Sequence, residues 1–316
     1  PRTKLRSDAA RAIGDTWADL FLHTLNRGVS IDLTQSYLWT KRAAEKNVAL
    51  AQSNLGVKYA LGTGVQANQK SAFKWYLKAA NQGHEDAMLA LGELALKNEG
   101  GLSAADGVKW LSLAAEKGRT DAMRALADMY LLGKGTPPNR AEAIKWLNKA
   151  VNYGDAFAER KMGDLYFDTD PKQALKWYEA AASHGDNQSA YIAAIMYAEN
   201  FEIRPDSTRA AALLKQAAEG GIAPAQADYG LMVYQGNGTT RSAEDAAQWF
   251  KKAANGGDAE GRFLYAFTLA KGDGIAQSYE DAYYWLLKAD ADSGDSEVAE
   301  YNQDRAELKK RLEDNV

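Results

Sequence analysis

From Ala51 to Gly83 the chain reads AQSNLGVKYALGTGVQANQKSAFKWYLKAANQG, and its small and apolar residues recur with the period of a helix. Ala51, Leu55, Gly56 and Tyr59 stand at i, i+4, i+5 and i+8, which at about 100° per residue is one side of a helix. Gly62-Thr63-Gly64 ends that run. Ala72, Trp75, Ala79 and Ala80 then mark a second helix, and Gly83 stands where a helix C-terminus favours positive φ. The pattern predicts a hairpin of two helices.

The hairpin recurs. Taking tryptophan as the marker, the chain shows Trp39, Trp75, Trp110, Trp146, Trp177, then Leu213 in its place, then Trp249 and Trp285, at spacings of 36, 35, 36, 31, 36, 36 and 36. A small residue precedes each marker by three positions, an alanine follows by four, and a glycine follows by eight in six of the eight units. The combined pattern, A-x-x-x-L-G-x-x-Y-x-x-G-x-G and then A-x-x-W-x-x-x-A-A-x-x-G, resembles the Sel1-like repeat, a relative of the tetratricopeptide repeat with longer turns. The resemblance implies an all-α fold, a right-handed α/α superhelical solenoid of about eight helix-turn-helix repeats over 15–295. It also implies a protein-binding role, with bacterial signalling or envelope assembly as the expected setting, and the periplasm as the expected compartment with the cytoplasm as the alternative. The chain departs from the pattern near Asp15, where the Leu-Gly pair is missing, and at the short unit beginning near Ala158.

Residues 1–14 form an N-terminal cap segment in this reading, and Ile13, Trp17, Leu20 and Phe21 at helical spacing mark a degenerate first helix that starts within it. Residues 296–316 form a C-terminal capping helix, since Val298, Tyr301, Leu308 and Leu312 share one face. In the short unit FDTDPKQ replaces the glycine turn, which predicts a tight Asp170-Pro171 connection. Because a solenoid packs unit on unit, one core can run its length without a boundary.

Composition narrows the function classes. A net charge of −4 without a basic stripe argues against nucleic acid, whose phosphates need clustered Lys and Arg. The longest apolar run, Ala190–Ala198, is far short of the roughly 20 residues of a membrane span, so direct insertion is not expected. With no cysteine there is no disulfide, thiol chemistry or cysteine-ligated zinc.

No catalytic set has a usable spacing, and neither a cofactor nor a metal is expected. The G-x-G turns follow helices rather than strands and lack the third glycine of a dinucleotide site. The acidic run Asp290–Glu297 fails the register of a calcium loop, and His84 and His184 fall at inter-repeat turns. The informative surface is the remaining face of each repeat's first helix, which related solenoids turn toward a concave groove. Its middle units carry Arg124, Asp128, Arg160 and Asp164; its last three carry Tyr191, Ile195, Leu231, Tyr234, Phe263 and Phe267. These ten residues are the predicted partner-binding set, for a peptide or helix of another protein. Aromatics in a row on a solvent face mark a binding surface, unless curvature buries them or the terminal helix folds over them. The charged four could instead pair with one another. The function expected is a non-catalytic interaction scaffold. The alternatives are a cell-wall or β-lactam hydrolase, and a structural spacer that self-associates through the same patch.

Overall fold

The computed structural model describes residues 32–97, 99, 101–199, 203–292 and 302–313, with backbone alone at 291–292 and 302–304. The predicted N-terminal cap and first helix, the acidic run from residue 293 on and the start of the terminal helix lie outside the described residues. Among the described residues there are helices only, and the fold is an all-α repeat solenoid. The chain forms two compact units, one ending at Asp155 and one beginning at Ala156.

The first unit contains α1 (Leu33–Glu45), α2 (Ala49–Leu61), α3 (Gln69–Ala80), α4 (Glu85–Leu96), α5 (Ala104–Glu116), α6 (Thr120–Leu132) and α7 (Arg140–Asn152). The second contains α8 (Ala156–Tyr166), α9 (Pro171–Ser183), α10 (Asn187–Ala198), α11 (Ser207–Glu219), α12 (Ala223–Gln235), α13 (Ala243–Asn255), α14 (Ala259–Lys271), α15 (Tyr279–Asp292) and α16 (Asn302–Glu313). Even-numbered helices up to α14 are the first helices of repeats, called A below. Odd-numbered ones carry the tryptophan marker and are called B.

Local chemistry starts and stops each helix. Asp32, Asn68, Asn139, Asp170, Asp206 and Ser242 each cap a B helix by accepting a backbone N–H in its first turn. Ser103 does so within a reciprocal capping box with Asp106. The alanine four residues after the marker closes the other end. Its carbonyl accepts the N–H of Val48, His84, Arg119, Asp155, Asp186, Ile222 or Asp258, after an αL residue that is Asn47 once and otherwise glycine. This is the six-to-one bond of a Schellman motif. In the short unit Asp170 caps α9, with Pro171 opening the helix as the Asp-Pro turn predicts.

The hairpins lock by matched sizes. The residue after the marker is a large buried side chain in seven B helices: Tyr76, Leu111, Leu147, Tyr178, Leu214, Phe250 and Leu286 are 0–6% exposed. Tyr76, Tyr178 and Phe250 lie against Gly56, Gly163 and Gly230 of the paired A helix, where an added Cβ would come within 2.6–2.7 Å of the ring. The same A-helix position is Ala127, Ala194 or Ala266 in three of the four units whose B helix carries leucine, while Gly92 faces Leu111 in the fourth. Of the markers themselves Trp146 is 9% exposed. The other described tryptophans are half-buried, and a basic side chain covers the ring in several repeats, as Lys78 does over Trp75, Lys149 over Trp146 and Lys252 over Trp249.

Candidate functional site: the outer face of the A helices

The A helices present a face that neither their own B helix nor the hairpin turn uses. In the first unit it is mixed. Ser53 is buried, Val57 is 42% exposed and Glu93 is exposed. Arg124 reaches forward and donates to Asp155 at 3.1 Å, an acid only 7% exposed that precedes the next A helix, while Asp128 is half-buried. In the second unit Arg160 makes the equivalent bridge to Asp186 at 3.2 Å, and Asp186 in turn caps α10 through the Ser189 N–H. Asp164 accepts the Tyr178 hydroxyl at 2.8 Å. Arg160 ties α8 to the N-terminus of α10, because a buried N-cap carboxylate needs a cation to offset its desolvation.

From α10 onward the face turns apolar. Tyr191, Ile195, Leu231 and Tyr234 are half-buried on α10 and α12. Tyr191 is hydrogen-bonded to Asp228, whose carboxyl is pushed up to about 6 by burial and then by Glu260, with Asp258 and Glu199 adding to the effect. Burial and the same acid raise the Tyr191 phenol. Tyr234 donates its hydroxyl to Asp273 at 2.7 Å and accepts from Lys271 Nζ at 2.9 Å, and Lys271 also spans the Phe267 ring. These bonds hold the Tyr234 ring edge in one orientation.

The expectation for Phe263 is overturned. It is 5% exposed, because α16 lies over it with Arg305 above its ring at 5.6 Å. Phe267, one turn on, remains 39% exposed. Between α14 and α16 are two hollows of about 360 and 290 Å³. Phe263, Leu264, Phe267 and Leu308 line the first, and Phe267, Ala270, Tyr279 and Leu312 the second.

Comparison with known proteins bears on the whole chain. The Sel1 repeat model matches residues 8–48, 49–84, 86–118, 120–155, 156–186, 188–222, 223–258 and 259–289. The chain belongs to the Sel1 repeat family. A Sel1 repeat protein from Oxalobacter formigenes superposes with a TM-score of 0.72 at 26% identity, over 98% of this chain and 90% of that one. A protective antigen of uropathogenic Escherichia coli with the same repeat fold is 20% identical, over 100% of this chain and 81% of that one, at a TM-score of 0.37. Chitin synthase regulatory factor 3 of Schizosaccharomyces pombe is 40% identical over 65 residues, which is 21% of this chain and 7% of that protein.

Within this Sel1 chain, sequence reasoning missed Asp228, Lys271, Asp273 and Arg311. Asp228 is one residue beyond Ala227, and a template that samples only every third or fourth position passes over it. Among the described residues no group of three or more metal-ligating side chains is placed to hold an ion, and no helix is long and apolar enough to cross a membrane. A serine–lysine contact does occur, Lys58 Nζ donating to Ser36 Oγ at 2.8 Å. Both residues are under 9% exposed and the Ser36 N–H already donates to Asp32 O, so neither that hydroxyl nor that amide is open to a substrate. Likewise His184 Nδ1 meets Glu159 at 2.8 Å across an inter-repeat turn, where it closes the turn.

Proposed function

We propose that this Sel1 protein is a non-catalytic interaction module that binds a peptide or helix of a partner protein along the A-helix face of its second unit. The observation that carries the reading is the row Tyr191, Ile195, Leu231, Tyr234 and Phe267. Ile195, Leu231 and Phe267 stand at one corresponding position of α10, α12 and α14, with Tyr191 a turn before it on α10 and Tyr234 a turn after it on α12; all five are half-buried or exposed, and Tyr234 is oriented by Lys271 and Asp273. Held aromatic and aliphatic anchors lose little entropy on binding, and single anchors of this kind commonly contribute about 2 kcal/mol or more. The charged residues sort themselves. Arg160, tied to Asp186, sets the spacing of α8 and α10, whereas the exposed Asp164 would meet the rim of a ligand and add specificity.

The variant Leu231→Asp with Phe267→Asp tests the reading. It should reduce partner capture at least tenfold while the helical circular-dichroism signal stays at the wild-type value. Undiminished capture by a folded double variant would move the binding surface elsewhere. Light scattering on the same pair of proteins separates a foreign partner from self-association, since only the latter makes the wild type larger than the variant.

A further inference from the structure

Helix α16 packs against α14 and α15, much as α14 itself packs against α12 and α13. Among the described residues it is held by Arg305, Leu308 and Leu312, buried at i, i+3 and i+7, while Glu307, Lys310, Arg311 and Glu313 are exposed. The fit is loose. Two adjoining hollows of about 360 and 290 Å³ separate the helices, and they share Phe267, Leu308 and Arg311. Both hollows open to solvent, so the apolar side chains that line them are left partly wet rather than packed. The repeats supply their own comparison. Where α14 presents Phe263 and Phe267, α8 carries Arg160 and Asp164, and Arg160 is bonded to the N-cap of the following A helix. An end repeat that needed only a cover could use the same polar pairing; α14 instead offers two phenyl rings, one of them still 39% exposed at the edge of the cover.

We propose that α16 is a displaceable occupant of the α14 face, and that it yields to an amphipathic helix of a partner protein. That helix carries two large apolar side chains one turn apart with a basic residue one turn before them. α16 presents the same chemistry in reduced form: Arg305 lies over the Phe263 ring, and Leu308 and Leu312 stand against the hollows. Side chains larger than leucine at the two apolar places fill space that α16 leaves empty. The proposal rests on reading the A-helix face as a docking surface. Its test uses the chain's own peptide, so failed capture of a natural partner at α12 and a rigid α16 are separate results.

The probe is a fluorescein-labelled synthetic peptide of residues 302–313 carrying Leu308→Phe, titrated against the full chain and read by anisotropy. A full-length chain with Leu308→Asp and Leu312→Asp, whose own helix is released, should bind the peptide at least tenfold more tightly than the wild type. Adding Phe267→Asp should abolish that binding. Equal affinity of wild-type and released chains overturns the proposal. Hydrogen exchange on the wild-type chain decides independently of whether the variant folds. The α16 amides should exchange at least a hundredfold faster than those of α14, and equal protection would make α16 a fixed cap. Wild-type dimers that dissociate in the released variant would name a second copy as the occupant and overturn the choice of a foreign helix.

Discussion

Phe250 and Gly230 show how single residues set the repeat. The ring lies where a Cβ on Gly230 would sit 2.7 Å away, and the equivalent pairs Ala194 with Leu214 and Ala266 with Leu286 trade a methyl on one helix for a smaller side chain on the other. Gly230→Ala should therefore destabilise the chain by about 1–3 kcal/mol through overpacking. Phe250→Leu should cost about 1 kcal/mol or more through the space it vacates. Combined, the two should cost less than their sum, because together they recreate a pairing the chain already uses. Urea denaturation of the four proteins measures this, and strict additivity would show that the glycine is not there to admit the ring. The tryptophans drew attention in the sequence because they are large and regular. The residue that fills each hairpin stands next to them and varies among Tyr, Leu and Phe, so a search for a repeated letter passes over it.

At the level of the element, the G-x-G turn does more than end an A helix. Its second glycine presses on the start of the preceding B helix: a Cβ at Gly64, Gly135, Gly238 or Gly274 would fall 1.9–2.4 Å from a backbone carbonyl oxygen of Leu33, Ala104, Ser207 or Ala243. The inter-repeat glycine Gly185 shares the left-handed φ but has open space around it. Gly185→Ala should cost about 1–2 kcal/mol, the left-handed penalty alone. Gly238→Ala should cost more, since backbone cannot yield as a flexible side chain can. Thermal melts in which the two variants matched would remove the contact from the account. Helix limits, caps and the Asp170-Pro171 turn were legible in the sequence because each depends on residues within a few positions. The pairing of Arg124 with Asp155 and of Arg160 with Asp186 was not, because the partners stand 31 and 26 positions apart in sequence. The cover over Phe263 was foreseen only as an alternative. The apolar face of the terminal helix shows in Leu308 and Leu312, but nothing local says which surface it meets.

For the whole molecule, the apolar row and the acid beneath it are one design in which Tyr191 and Asp228 share a half-buried site. Because the Asp228 carboxyl is pushed up to about 6 from 3.8, its contribution to stability is fully present below the unfolded value and is lost as pH rises through about 6. Asp228→Asn, neutral at every pH, should gain on the wild type as pH rises from about 4 to about 6, by at most about 3 kcal/mol. A difference between the two proteins that stayed constant across that range would contradict the burial of this carboxyl. Asp121, held low by Arg119 and the Ala122 N–H against its burial, acts in the opposite sense. The comparison must therefore be made between variant and wild type rather than from the wild-type curve alone. The central claim is that partners meet the A helices of the second unit. A photocrosslinking amino acid placed in turn at Ile195, Leu231 and Phe267, and for contrast at Lys176, Lys215 and Lys251 on the B helices, tests it most directly. Adducts with the natural partner should form from the first three positions and be absent from the last three; adducts from the B-helix lysines alone would contradict the account.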